Sequence, residues 1–148
     1  MKDGLFYSNG LRFFCTQCSR CCRHDSGYVF LSSEDVLRLQ RYFRISRDEF
    51  IHRYCRWVSI INEERLSLNE QENNDCIFWT DGGCAVYTDR PIQCRTYPFW
   101  SHVLDDSSSW ERESNACPGI GIGRRISSDE IENLLLARVR NRPMRRER

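Results

Sequence analysis

Four cysteines within eight residues, Cys15-x-x-Cys18-x-x-Cys21-Cys22, constrain this chain more than any other feature. On a helix, Cys15, Cys18 and Cys22 fall at i, i+3 and i+7 on one face, with Cys21 close to Cys18. In a loop, the two-residue spacing still lets both sulfurs of a pair reach one metal ion. The neighbours Cys21 and Cys22 diverge by about 100° if helical. One mononuclear ion suits such a pair poorly. Two neighbouring metals or a polynuclear centre suit it better, and a single four-cysteine site with spare thiols stays open.

Five more cysteines follow, at positions 55, 76, 84, 94 and 117, which makes nine. The first seven residues, Met1 to Tyr7, show no uninterrupted apolar stretch of the kind that directs secretion, so a cytoplasmic location is expected. In a reducing cytosol, closely spaced thiols hold metal or do redox chemistry more often than they form disulfides. The odd total would also strand one thiol in a disulfide scheme. Cys55 sits apart, inside an expected helix beside its apolar face, and reads as a small buried hydrophobe. That leaves Cys15, Cys18, Cys21, Cys22, Cys76, Cys84, Cys94 and Cys117 as expected metal ligands, enough for two four-cysteine sites.

Thiolate sulfur is soft. It suits zinc, Cu(I) and iron–sulfur clusters and does not suit magnesium or calcium. Zinc ions and cubane clusters leave the same net negative charge on eight thiolates, so charge does not choose between them. The expected cofactor is an iron–sulfur cluster or zinc, in one or two centres, with a lean to iron–sulfur from the tight cysteine run. His24, two residues beyond Cys22, is the one auxiliary candidate among three scattered histidines. Arg20, Arg23 and Arg95 flank cluster cysteines and Arg90 is near. Arg90, Arg95, Tyr97 and His24 are therefore candidate outer partners of the sulfurs. An arginine paired elsewhere is the equally weighted alternative.

At 148 residues the chain fits one domain. The expected core runs from about 13 to 137, with a basic tail over 138–148. A chain this long buries roughly 68–70% of its extended surface. Hydrophobic residues make up 40% and charged residues 29%, which is ordinary for a globule. No run of 18 apolar residues exists, so no transmembrane helix is expected. The 22 basic residues, all arginine but Lys2, nearly balance 21 acids. No bulk field therefore draws an anionic polymer. The tail carries six arginines and one glutamate and reads as a solvated end.

Local patterns outline an α+β fold of short helices and β-hairpins around a cysteine-ligated centre. Residues 1–14 read as an extended lead-in, and Tyr28–Leu31 as a short strand. Ser32 with Asp35 and Ser46 with Glu49 form capping boxes for two helices, the second continuing through Val58. Val58–Ile61 and Leu66–Leu68 read as a hairpin. Cys76–Trp79 and Cys84–Tyr87 flank Thr80-Asp81-Gly82-Gly83 as another, with both cysteines on its outer parts. Residues 101–116 read as a surface loop. Ser127 with Glu130 opens a last helix with the stripe Ile131, Leu134, Leu135 and Val139. Gly119-Ile120-Gly121-Ile122-Gly123 mimics a dinucleotide fingerprint, but it follows Cys-Pro rather than a strand, which argues against nucleotide binding.

The cysteine run resembles the signature of the zinc- or iron-chelating CxxCxxCC proteins, also called YkgJ-like cysteine-cluster proteins. Cys76-Ile77-Phe78, Gly83-Cys84-Ala85-Val86-Tyr87, Arg90-Pro91-Ile92-Gln93-Cys94-Arg95-Thr96-Tyr97-Pro98-Phe99 and Cys117-Pro118-Gly119 are similar to it as well. So is Ile45-Ser46-Arg47-Asp48-Glu49-Phe50, which resembles the family's helical insert. The resemblance spans about residues 13–120 and implies chelation of zinc or iron by these cysteines, without a settled activity. A similar cluster occurs in flagellin lysine N-methylases, where it accompanies iron–sulfur chemistry, but this chain lacks the bulk of such an enzyme.

Three functions compete. The favoured one is a metal-binding protein whose centre is structural or carries electrons, with metal ions and a redox protein as partners. The second is an enzyme, or an enzyme subunit, that uses the cluster in redox or methyl-transfer chemistry. The third is a zinc-stabilised nucleic-acid module, which rests on the arginine tail alone. The sequence offers no Ser/His/Asp arrangement and leaves substrate and oligomeric state open.

Overall fold

In the computed structural model the described residues are 4–16 and 27–147. Their fold is α+β, with short helices and three small antiparallel sheets. The chain groups into two compact units. One is Met1–Cys21 with Thr96–Arg140, and the other is Cys22–Arg95 with Asn141–Arg148.

In the second of these, helix α1 (Ser33–Phe43) starts with the expected capping box. Ser32 Oγ accepts from Asp35 N and Asp35 Oδ2 accepts from Ser32 N. It ends at Arg44, which is left-handed at φ 56°. Helix α2 (Arg47–Tyr54) has Ser46 as its cap, accepting from Glu49 N at 3.1 Å. The expected continuation of α2 to Val58 does not occur. Strand β2 (Cys55–Ile60) takes over instead and pairs with β3 (Glu63–Leu68) in a six-rung ladder from Cys55↔Leu68 to Ile60↔Glu63. Trp57, Val58 and Ile60 suit a pleated, half-buried surface better than a helix. The predicted hairpin is therefore present but longer, and its turn is only Ile61-Asn62.

Strand β7 (Arg145–Glu147) adds to the far side of β3. Arg146 Nε lies 2.9 Å from Glu64 Oε1, and Arg145 Nε lies 3.7 Å from Glu63. The tail is therefore not simply a solvated end. Only the Glu64↔Arg146 rung sets opposite charges face to face, and Arg145 reaches Glu63 diagonally from the Arg65 rung; the strand covers the β3 edge. Met144 joins it by accepting from Leu66 N and donating to Leu31 O. Residues 28–31 are extended as expected but form only one bridge, Phe30↔Ser67. The core of this unit is Leu31, Val36, Leu39, Phe50, Leu66 and Phe78, each almost fully buried. Burying a side chain of this size stabilises by about 1.5–3 kcal/mol.

In the other unit, β1 (Leu11–Phe13) pairs with β6 (Ile120–Ile126). The register runs Leu11↔Ile126 and Arg12↔Arg125, then jumps to Phe13↔Ile120, so residues 121–124 arch out. Gly121 and Gly123 have φ of 92° and 79°, which side-chain-bearing residues rarely adopt. A Cβ on Gly119 would lie 2.1 Å from Phe14 O. The glycine spacing thus serves a close strand approach. Residues 101–116, expected as loop, contain helix α4 (Ser107–Glu113). Asp106 caps it through Ser109 N at 2.7 Å, and Trp110 is buried against Phe99 with centroids 5.5 Å apart. Helix α5 (Ser128–Arg140) has the expected Ser127 cap on Glu130 N. Ile131 is fully buried and Leu134 and Leu135 pack beside it, while Val139, predicted on the same stripe, is exposed.

Candidate metal centre

Cys18, Cys21, Cys22 and His24 lie outside the described residues. Cys15, Cys55, Cys76, Cys84, Cys94 and Cys117 lie within them. In the first unit, Phe14 N donates to Gly119 O at 3.1 Å. That bond ties the backbone one residue before Cys15 to the backbone two residues after Cys117. Ile120 N donates back to Cys117 O at 3.2 Å and turns the chain there. Cys117 is buried and Cys15 half-buried.

In the other unit, β4 (Trp79–Thr80) and β5 (Gly83–Cys84) form a hairpin shorter than the one predicted. Cys84 faces Trp79. Cys76 lies below the ladder and bridges Glu70 instead. Its carbonyl accepts from Trp79 N at 2.9 Å and from Gln71 Nε2 at 3.0 Å. Phe78, between the two cysteines, anchors the hairpin by stacking near Phe43 and Tyr54, with centroids 5.5 and 5.2 Å away. Both Cys76 and Cys84 are half-buried at the edge of the core.

Cys94 sits on helix α3 (Ile92–Thr96). The start of that helix is fixed by a residue that sequence reading treated only as a cap. Asp35 is fully buried, and its carboxylate accepts from Ser32 N, Ile92 N, Arg38 Nη2 and Asn141 Nδ2. Arg38 Nη2 also donates to Arg90 O at 2.8 Å. Four donors around one buried carboxylate satisfy its acceptor capacity and offset its desolvation. The i, i+3 spacing of Asp35 and Arg38 was a visible signal of the pair. Nothing in the sequence signalled the contacts to Ile92 and Asn141.

The chain that leaves the cysteine run is held beside these elements. Gly27 N donates to Glu70 Oε1 at 2.6 Å, and Glu70 is the bridge partner of Cys76. Gln93, next to Cys94, accepts from Phe30 N at 3.1 Å and donates to Tyr28 O at 2.8 Å.

A family model described as "Putative zinc- or iron-chelating domain", CxxCxxCC, matches residues 14–118, more than two thirds of the chain. The chain belongs to this family. An uncharacterized protein of Methanocaldococcus jannaschii is 28% identical over 95 residues, covering 63% of this chain. The chain spans about half of that relative, 48% of its length. No solved structure matches.

For a CxxCxxCC chain, the donor chemistry fits zinc or iron, since the cysteines at issue offer soft sulfur. Among the described residues, no three His, Cys, Asp or Glu side chains gather as a ligand cluster. The described candidates Arg90, Arg95 and Tyr97 bond to other groups. Arg90 Nε donates to Tyr87 O, and its guanidinium lies 3.9 Å from the Tyr87 ring centroid. Arg95 Nη2 donates to Thr88 O at 2.9 Å. Tyr97 OH donates to Glu113. Cys55 is 8% exposed, and burial pushes its thiol up to about 12, so it stays protonated and inert at neutral pH, as expected of a small buried hydrophobe. No helix among the described residues is long and apolar enough to cross a membrane.

Proposed function

We propose that this chain chelates zinc or an iron–sulfur cluster through Cys15, Cys18, Cys21, Cys22, Cys76, Cys84, Cys94 and Cys117, for a structural or electron-carrying role. One observation supports it above others: the described chain on either side of the cysteine run, at Phe14 and at residues 27–30, is hydrogen-bonded beside the distant cysteines. The chain enters the run fastened next to Cys117 through Gly119. It leaves fastened next to Cys76 and Cys94 through Glu70 and Gln93. Cys18, Cys21 and Cys22 are the remaining thiols of the proposed ligand set.

When bound, the metal supplies cross-linking energy or a redox electron. The protein's residues supply the sulfur donors and hold them in register. Structural zinc binding contributes about 10–16 kcal/mol in small peptides, against about 5–15 kcal/mol for the net stability of a domain. Loss of the metal is therefore expected to unfold much of the chain. Anaerobic purification with elemental analysis and a visible spectrum tests the reading. A brown sample with iron and sulfide supports a cluster, and a colourless zinc-bearing one supports a structural centre. Reduction by a chemical donor then separates an electron carrier from a scaffold. A folded, oxygen-protected preparation with neither metal overturns the reading.

A further inference from the structure

We propose that Glu70 and Gln93 are positioning residues that hold the chain leaving the cysteine run and so set how tightly the metal is retained. The inference rests on the chelation reading above and concerns two side chains that carry no sulfur.

The peptide at Gly27 is gripped from both sides. Glu70 Oε1 accepts its N–H at 2.6 Å, and Arg56 Nη2 donates to its carbonyl at 3.2 Å. Hydrogen bonds to ionised groups are about twice as strong as neutral ones. The Arg56 guanidinium also lies over the Tyr28 ring, 5.3 Å from its centroid. One residue further on, Gln93 acts as a backbone would. Its amide donates to Tyr28 O and accepts from Phe30 N, which fixes both position and rotation of that stretch.

Each gripping residue is coupled to a candidate ligand. Glu70 is the bridge partner of Cys76, and Gln93 precedes Cys94 on α3. Only four residues lie between Cys22 and Gly27 in the sequence, so the hold on Gly27 acts close to the last cysteine of the run. Groups that orient ligands in this way typically govern metal affinity by about 10–100-fold.

The test uses the full chain loaded with zinc, as wild type and as Gln93→Ala, Glu70→Ala, Glu70→Gln and Val36→Ala. Release of zinc to excess chelator is timed, and the thermal midpoint of each loaded protein is measured. Gln93→Ala and Glu70→Ala should lose zinc about ten-fold faster than wild type. Glu70→Gln keeps an acceptor for Gly27 N–H and should stay within about three-fold of wild type. Val36→Ala truncates the core of the same unit and should lower the midpoint most while changing release least. Release that follows the thermal midpoint across all four variants overturns the positioning role, as does wild-type release in both alanine variants at Glu70 and Gln93. A folded wild type that takes up neither zinc nor iron removes the chelation reading as well.

Discussion

Asp35 Oδ1 accepts the backbone N–H of Ile92 at 3.1 Å, joining two points 57 residues apart in the chain. The same carboxylate takes Arg38 at 2.7 Å, and its side chain has no exposed surface. Asp35→Ala removes the acceptor shared by Arg38, Asn141 and two backbone donors at one stroke, leaving Arg38 only its carbonyl partners. Removing one partner of a buried pair costs about 3–5 kcal/mol. Urea unfolding should show a loss of that size, together with faster metal loss because the Cys94 helix is freed. A loss under about 1 kcal/mol would mean that water replaces the carboxylate cheaply.

Single serine replacements sort the cysteines. Cys15→Ser, Cys18→Ser and Cys94→Ser should each lower metal content and soluble yield, whereas Cys55→Ser should change neither. Metal analysis of the purified variants decides this. Equal stoichiometry in Cys94→Ser and wild type would take that residue out of the ligand set.

Cys55 also predicts a pH dependence. Its folded thiol is raised to about 12 by burial, from an ordinary value near 9. Between those limits the unfolded chain has released this proton and the folded chain has not. Stability contributed by the protonated thiol is full below about pH 9 and falls as pH rises towards 12, with a slope up to about 1.4 kcal/mol per pH unit. The difference in unfolding free energy between Cys55→Ser and wild type should drift in that window, and a flat difference would contradict the burial argument.

Gly119→Ala should damage the entrance to the cysteine run. Its Cβ would lie 2.1 Å from a backbone oxygen of Phe14, a clash no rotamer relieves. Overpacking of this kind costs about 1–3 kcal/mol. The variant should lose both thermal stability and bound metal, while Gly4→Ala, where nothing lies within 4 Å, serves as the neutral comparison. Unchanged metal content in Gly119→Ala would separate Cys15 and Cys117 from the centre.

Trp110→Ala should cost about 3–5 kcal/mol, the usual range for truncating a buried aromatic. Trp110 is 7% exposed and stacks on Phe99. Heat or urea unfolding measures this directly. A cost near zero would return residues 107–113 to the surface loop that their serines suggest.

Legibility in the sequence followed how local each signal was. Ser32 with Asp35 and Ser127 with Glu130 announce helix starts, because a cap is completed within four residues. The cysteine spacing and the Arg-Pro-Ile-Gln-Cys-Arg block gave the family, because both are contiguous. Helix α4 was missed because Ser107-Ser108-Ser109 reads as loop, although Asp106 stands at its cap and Trp110 supplies its buried side chain. The end of α2 was missed because Trp57 and Val58 fit a helical stripe as well as a strand, and only pairing with Leu66 and Arg65 decides between them. The Asp35 contacts and the β7 pairing were illegible for one reason. They join residues 57 to 106 and about 80 positions apart, and no local pattern encodes such a meeting.

The placement of Asn141–Arg148 has a consequence for how the molecule is made. Met144 bonds to Leu31 and Leu66, Asn141 reaches Asp35, and β7 zips onto β3. Since translation runs from the N-terminus, the first ribosome-emergent portion of this unit waits for these late-synthesised residues before it can close.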